Sequence, residues 1–341
     1  MKTELLTEQD VPRAAEILQK GGLVGIPTET VYGLGANGFD PEAVAHIFQA
    51  KGRPQDNPLI LHIPEPGWLE RCCQDIPAAA WTLAERFWPG PMTMILPRRP
   101  LVPDVVTAGL DTVGMRCPAH PLCRAIIAAA DVPIAAPSGN TSGRPSPTTA
   151  GHMLEDMDGK IDAIVDGGPC AVGVESTIID LTCTPPRLLR PGGVTLEQLQ
   201  DALGQVEVDP AVTRLMGAGE QPKAPGMKYR HYAPKAPVTV VAGEPKKAAE
   251  YIAAHAAPEG GVICFDEFKD LFTKGHQTRP VMDLGPAGDK GEQARHIFDA
   301  LRAFDHTAVT AIWAQCPDTG GIGLAIANRL NKAAGFHIIR V

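Results

Sequence analysis

The sequence lacks the features that mark membrane and secreted proteins. No stretch of its 341 residues approaches the ~18 uninterrupted apolar residues of a transmembrane helix. The N-terminal segment MKTELLTEQD carries acids where a secretion signal needs an apolar core. We therefore expect a cytoplasmic protein that does not act at a membrane.

Closely spaced pairs of cysteines are also missing. The eight cysteines include no C-x-x-C pair, and the closest two, Cys72 and Cys73, are adjacent and poorly placed to hold one ion together. Zinc sites usually show such pairs, and a large cytosolic chain needs no disulfides. We expect idle, buried thiols and no metal ion held by the protein itself.

Three further absences narrow the function. The net charge is −8, whereas a protein whose main task is to bind nucleic acid usually carries a positive excess. The chain has no G-x-x-x-x-G-K-[ST] motif and no G-x-S-x-G motif. These absences argue against a P-loop NTPase and against a serine hydrolase.

Strand and helix signals alternate along most of the chain, which predicts an α/β protein with ligands bound at the loop edge of its sheet. The composition, 44% hydrophobic and 21% charged, is typical of a soluble globular protein. Between 205 and 236, proline and glycine break the pattern, and basic and aromatic residues are frequent. We predict a first domain over 1–204, a linker over 205–236 that also touches ligand, and a second α/β domain over 237–341.

A glycine pattern invites a dinucleotide interpretation. Gly33, Gly35 and Gly38 match G-x-G-x-x-G after a strand. The next helix, however, begins beyond them at Asp40-Pro41, so the glycines cannot form its first turn. The pattern is weak evidence for a nicotinamide or flavin site.

Cations and hydroxyl groups are concentrated in loops near strand ends. Gly52 and nearby prolines shape a loop that suits Arg53 for bidentate anion contact and Lys51 for a point contact. Arg116 ends an apolar strand, where an arginine must meet an acid or a ligand. The hydroxyl-rich loop 138–148 favours phosphate binding, although a capping role stays open for this loop and for Lys51 and Arg53. Together they predict a site for a polyphosphate and a carboxylate, with further contributions from Thr30, Asn140, Arg144, Thr148, Ser176 and Arg190.

Several motifs in a fixed order resemble one family. P-T-E-T-V-Y-G-L-G, K-G-R-P-x-x-N-P-L, P-S-x-N-x-S-G and S-P-T follow one another, and H-Y-A-P occupies His231–Pro234. The set resembles the YrdC-like threonylcarbamoyl-AMP synthases in their long two-domain form. The resemblance covers the predicted first domain closely, and also the linker. It implies a twisted open sheet followed by a smaller Rossmann-like α/β domain.

The resemblance implies a defined reaction. L-threonine, bicarbonate and ATP, with Mg²⁺ carried by ATP, would give threonylcarbamoyl-AMP and pyrophosphate for the N6-threonylcarbamoyladenosine modification of tRNA. The H-Y-A-P segment would cover the site as a lid. By likeness, the catalytic residues would be Lys51 and Arg53, the threonine-binding residues Thr30, His62, Arg116, Ser138 and Ser176, and the ATP-binding residues Arg53, Asn57, Thr112, Asn140, Thr148, Arg190 and Tyr232.

Partners and alternatives follow from the same motifs. The product would pass to downstream tRNA threonylcarbamoyl-transferase enzymes, with at most a weak contact to tRNA. A related carbamoyl-transferring maturation factor would need C-x-x-C fingers, which this chain lacks. A non-catalytic module that binds double-stranded RNA or the ribosome would need a basic excess. One departure from the family pattern is Gly139, where alanine is usual.

Overall fold

The computed structural model describes residues 2–214, 216–217, 222–227, 231–274 and 279–341, and all structural statements below refer to these residues. Contacts between Cα atoms divide the chain into two compact units. Unit 1 comprises Met1–Ser142, Ser146–Val212 and Met216–Lys228, and unit 2 comprises Gly143–Pro145, Thr213–Leu215 and Tyr229–Val341. Strands and helices alternate in both units, so the predicted α/β class is confirmed.

Unit 1 is built on one mixed sheet of eleven strands. The strands hydrogen-bond in the order β1-β8-β2-β3-β7-β4-β6-β5-β9-β10-β11, with both parallel and antiparallel neighbours. In chain order they are β1 (Glu4–Leu6), β2 (Val24–Ile26), β3 (Gly33–Asn37), β4 (Ile60–His62), β5 (Met92–Pro97), β6 (Thr112–Arg116), β7 (Ile134–Ala135), β8 (Ala163–Val165), β9 (Thr177–Asp180), β10 (Arg187–Arg190) and β11 (Glu207–Val208).

The helices of unit 1 begin and end at clear sequence signals. The Asp40 side chain caps the second helix by accepting from the N–H groups of Glu42 and Ala43, and Gly52 ends this helix at φ 62°. This end places Lys51 in the last helical turn. The helices are α1 (Val11–Gln19), α2 (Pro41–Lys51), α3 (Leu69–Cys72), α4 (Ala78–Phe87), α5 (Asp104–Thr107), α6 (Pro121–Ala130), α7 (Ala150–Met157) and α8 (Leu196–Leu203).

The glycine pattern Gly33–Gly38 forms strand β3 and the turn after it, and not a ligand loop. A Cβ on Gly35 would lie 2.9 Å from Ile134 Cγ2, and one on Gly38 would lie 2.5 Å from a Leu61 methyl group. The glycines therefore permit close packing beside β7. Packing thus explains the G-x-G-x-x-G pattern, and the basis for a dinucleotide interpretation is removed.

Ordered structure continues past residue 205. Strand β11 pairs in parallel with β10, and a short 3-10 turn covers Pro210–Val212. The sequence gives no periodicity here because β11 has only two residues, both exposed. The irregular part of the chain therefore starts later than predicted.

Unit 2 contains a five-stranded parallel sheet in the order β14-β13-β15-β12-β16. Helices connect its strands, as parallel pairing requires. The elements are β12 (Val238–Ala242), α9 (Pro245–His255), β13 (Gly261–Cys264), α10 (Lys269–Thr273), β14 (Val281–Asp283), α11 (Lys290–Ala303), β15 (Ile312–Cys316), α12 (Gly323–Ala333) and β16 (Ile338–Arg340).

All eight cysteines are free thiols, and every one except Cys183 is buried, as predicted for most of them. Among the described residues, no helix has both the length and the apolar character that a bilayer crossing requires.

Candidate functional site

Two of the predicted ligand loops are joined by their backbones. Tyr32 donates its N–H to Pro147 O at 2.8 Å, and Gly139 donates its N–H to Tyr32 O at 2.8 Å. Leu34 N–H reaches Pro137 O at 2.9 Å. The loop that carries Thr30 and the loop that carries Ser138 therefore form one continuous surface in unit 1.

Lys51 holds the loop that carries Ser138. It is buried, with 2% exposure, and its ammonium donates to the backbone carbonyls of Ser138 and Asn140. The cation thus determines the shape of the loop and also supplies positive charge beside it. The predicted catalytic role of Lys51 stays a prediction.

Arg53 closes its own loop. Its Nη2 donates to Asn57 O at 3.0 Å and to Pro58 O at 3.2 Å, and its guanidinium lies 5.6 Å from the Phe48 ring centroid. Asn57 is 1% exposed, yet its amide nitrogen and oxygen have no hydrogen-bond partner in the described part of the chain. Because unpaired buried amides are costly, Asn57 is well suited to bind a polar ligand.

Four more predicted residues lie in unit 1. The hydroxyl groups of Thr30 and Thr28 are 2.9 Å apart and buried. Thr148 Oγ1 lies 3.3 Å from His152 Nδ1, and Asn140 Nδ2 donates to Thr141 O at 2.8 Å. Thr112 begins strand β6 and is half-buried. All of them belong to unit 1.

A second group forms a row across the sheet. His62 on β4 and Thr93 on β5 are the register partners of Arg116 on β6, so these three side chains share one face. Thr93 Oγ1 lies 2.8 Å from Ser176 Oγ, which also accepts from Arg190 Nη2 at 3.1 Å. The structure thus brings together predicted threonine-binding and ATP-binding residues that are far apart in sequence.

Glu29 joins the loops to this row. Its Oε1 lies 2.8 Å from Arg116 Nη2, and the side chains are only 9% and 5% exposed. The approach satisfies an ion pair but not the alignment of a hydrogen bond. Among the described residues, neither carboxylate oxygen of Glu29 nor Nε and Nη2 of Arg116 has an aligned hydrogen-bond partner.

His62 is a neutral imidazole in this group. Burial, followed by the positive charge of Arg116, lowers its pKa to about 3. Its Nδ1 is buried and has no hydrogen-bond partner among the described residues. The ring can therefore exchange a hydrogen bond with a ligand without adding a charge.

The first part of the predicted linker packs on the same face. Ala224 and Met227 lie in one apolar cluster with Ile60, Ile95 and Ile178, which come from strands β4, β5 and β9. Arg190 Nη1 also donates to Pro225 O at 3.3 Å. Linker residues thus contact a predicted ATP-binding side chain, as part of unit 1.

The H-Y-A-P part of the linker belongs to unit 2. The centroid of the Tyr232 ring lies 5.2 Å from that of Phe298 on α11. The Arg329 guanidinium lies 5.6 Å from the centroid of the Tyr232 ring. Within the same unit, Arg144 pairs with Asp305 at 3.1 Å, so the predicted anion-binding Arg144 meets an acid. Of the linker's basic and aromatic residues, Lys228, Tyr229 and Arg230 lie outside the described residues.

Gly139 has a packing explanation. A Cβ there would lie 2.7 Å from both Sδ and Cε of Met153, and one on Gly25 would meet the same atoms at 2.7 and 2.8 Å. Met153 thus occupies the space that a methyl group at position 139 would take. The departure from the family pattern is compensated by a neighbour in α7.

The chain is similar to known proteins over nearly its whole length. The Sua5/YciO/YrdC family model, described as "Telomere recombination", matches residues 16–192, and the model described as "Threonylcarbamoyl-AMP synthase, C-terminal domain" matches residues 194–335. The threonylcarbamoyl-AMP synthase of Pyrococcus abyssi is 48% identical over 340 residues, which are 99% of this chain and 98% of that protein. That of Bacillus subtilis is 45% identical over 99% of this chain and 97% of its own length.

The chain belongs to the threonylcarbamoyl-AMP synthase family. A solved structure agrees: the crystal structure of P. abyssi Sua5 complexed with L-threonine matches with a TM-score of 0.93 and 46% identity over 100% of both chains. The resemblance that the motifs indicated is confirmed, as are the predicted fold class and the assignment to an enzyme family.

Neither Thr93 of the row nor Glu29 beside it was predicted. Thr93 lies within the apolar strand MTMILP, where a threonine is unremarkable. Glu29 is in the quoted P-T-E-T motif, but the motif assigned it no role. The one available signal was Arg116 at the end of β6, which had to meet an acid or a ligand, and Glu29 is such an acid.

Proposed function

We propose that this protein is a threonylcarbamoyl-AMP synthase: it converts L-threonine, bicarbonate and ATP into threonylcarbamoyl-AMP and pyrophosphate. The observation that carries the proposal is family identity over nearly the whole chain, including every loop of the site. The alternative of a non-catalytic RNA-binding module gains no support from this match.

The chemistry needs positioning and charge more than a covalent intermediate. The threonine amine captures carbon dioxide derived from bicarbonate, and an oxygen of the resulting carbamate attacks the α-phosphorus of ATP while pyrophosphate leaves. Mg²⁺ enters as part of the ATP substrate, where it neutralises phosphate charge. The chain's own contribution is to bind the reactants in line and to stabilise developing negative charge.

The geometry supports a division of roles. The threonine would lie against the row of Arg116, His62 and Ser176, with Thr30 and Ser138 contributing from the joined loops. The buried amide of Asn57 and the guanidinium of Arg190 would contact ATP. Lys51 and Arg53 would act on the reacting charges, with Lys51 also holding the loop through the carbonyls of Ser138 and Asn140. Further ATP contacts are proposed for Thr112, Asn140, Thr148 and Tyr232.

The cellular setting is part of the proposal. A cytoplasmic enzyme of net charge −8 would release a small adenylate to downstream tRNA threonylcarbamoyl-transferase enzymes, and so would need at most a weak contact with tRNA.

Pyrophosphate release tests the proposal. Purified protein is incubated with ATP, Mg²⁺, bicarbonate and L-threonine, and each component is omitted in turn. We expect release only with the complete mixture, and a fall of at least about 100-fold in Lys51→Ala and Arg53→Ala proteins, since each loses a charge contact to the reacting groups. Lys246→Ala, at an exposed site in unit 2, is the matched control and should retain full activity. A folded, ATP-binding protein that releases no pyrophosphate would overturn the proposal.

A further inference from the structure

The buried pair of Glu29 and Arg116 is chemically incomplete. Burying two charges is costly, and a structural pair offsets this cost when its remaining polar atoms also form hydrogen bonds. Here four polar atoms of one pair, both oxygens of Glu29 together with Nε and Nη2 of Arg116, have no aligned partner among the described residues. The pair therefore has the hydrogen-bonding capacity to receive a ligand.

The surroundings of the pair point toward that ligand. His62 is neutral, and burial raises the pKa of the nearby Cys170 thiol to about 12, so the thiol is uncharged as well. Ser176 and Thr93 contribute hydroxyl groups at the end of the same row. Arg190, which donates to Ser176 Oγ, is a second cation, so the row and Glu29 beside it present both positive and negative charge to a ligand.

The backbone at Glu29 is held in place on both sides. Thr28 Oγ1 donates to Val31 O at 2.6 Å and accepts from the N–H groups of Thr30 and Val31, both at 3.2 Å. Glu29 O itself accepts from Val172 N–H at 2.7 Å. The carboxylate is therefore presented by a fixed turn, as a pre-organised binding group requires.

We infer that Glu29 and Arg116 together form the receptor for a zwitterion: Arg116 receives the carboxylate of an α-amino acid and Glu29 receives its ammonium group. An ion pair of opposite polarity is the electrostatic complement of a zwitterion. A simple anion such as phosphate would gain from Arg116 but be repelled by Glu29. Glu29 thus determines that an amino acid, and not a second phosphate, binds beside Arg116. This inference rests on the proposed function, since it assigns threonine to this pair.

Calorimetry with two ligands tests the inference. L-threonine is compared with 2,3-dihydroxybutanoate, in which a hydroxyl group replaces the ammonium group, on wild-type and Glu29→Gln proteins. Loss of a charge-assisted hydrogen bond should weaken threonine binding by about 10- to 100-fold. Binding of the dihydroxy acid should change little, so the preference of the protein for threonine should disappear. Glu250→Gln, an exposed site in unit 2, is the control and should keep that preference.

Each outcome has a defined meaning. Equal weakening of both ligands in Glu29→Gln would show that Glu29 serves only as the counterion of Arg116, and would overturn the inference. ATP binding and thermal unfolding report whether the variant is folded. If it is not, Glu29→Asp, which keeps the charge but shortens the side chain, must show a reduced preference for threonine for the inference to stand.

Failure of the proposed function is distinguishable. If wild-type protein binds threonine and releases pyrophosphate but Glu29→Gln shows no selective effect, the inference alone fails. If wild-type protein releases no pyrophosphate but still prefers another α-amino acid over its hydroxy acid, the proposed function fails while the zwitterion receptor stands. A wild-type protein that binds no amino acid overturns both.

Discussion

Two buried arginines, one in each unit, have opposite surroundings. Arg116 in unit 1 is 4% exposed and lies beside Glu29 without an aligned hydrogen bond at Nε or Nη2 among the described residues. Arg279 in unit 2 is 7% exposed and donates to three backbone carbonyls after α9, those of Ala256, Ala257 and Pro258, at 2.8 to 3.2 Å. The Arg116 guanidinium keeps unused hydrogen-bonding capacity, and the Arg279 guanidinium satisfies the backbone carbonyls around it. Burial alone therefore does not distinguish these two arginines, whereas the state of their hydrogen bonds does.

The largest effect should come from Arg116. In Arg116→Lys the positive charge beside Glu29 is kept but the planar fork is lost, so bidentate contact with a carboxylate is no longer possible. We expect the KM for threonine to rise by about 100-fold, while the free energy of unfolding changes by less than about 1 kcal/mol. Steady-state kinetics measures the KM for threonine, and denaturant unfolding measures the free energy of unfolding. A large loss of stability with normal threonine affinity would show that the pair of Glu29 and Arg116 is structural and does not bind threonine.

The opposite behaviour is expected of Arg279. Arg279→Met keeps the length of the side chain and removes the three donors, which leaves carbonyls near the end of α9 unsatisfied. The expected cost is about 2 kcal/mol in the free energy of unfolding, with kcat and KM unchanged. Unfolding followed by circular dichroism, together with the pyrophosphate assay, tests this. If Arg279→Met loses activity but keeps its stability, the structural role assigned to Arg279 is wrong.

A smaller effect concerns pH and His62, the neighbour of Arg116. Its pKa is about 3 in the folded protein, below the ordinary value of 6.5, so protonation favours the unfolded chain. The stability that His62 contributes is complete above pH 6.5 and is lost as the pH falls below that value toward 3. The expected slope is ~1.4 kcal/mol per pH unit from this group. In His62→Asn the dependence of unfolding free energy on pH should be flatter by that amount between pH 6 and about 4.5; an unchanged slope would contradict a buried neutral ring.

Local signals in the sequence located most of the elements that carry the site. The Asp40-Pro41 start and the Gly52 end of α2 could be read directly, because capping is a property of a few adjacent residues. Strand β3 could not, since Gly35 is required by Ile134, which lies far along the chain, and Gly38 in the turn after the strand is required by Leu61. Strand β11 was missed because two exposed residues form no pattern.

The sequence alone determined the α/β class, the order of the ligand loops and the family, because each depends on composition or on short motifs of adjacent residues. Tertiary structure decided which of those residues meet. The register of β4, β5 and β6 places His62, Thr93 and Arg116 in one row, and the turn at Thr28 brings Glu29 to Arg116. It also divided the linker between the two units, with Ala224 and Met227 in one and Tyr232 in the other. Such pairings depend on distances between segments far apart in the chain, and those distances are fixed only when the sheet and the core around it have formed.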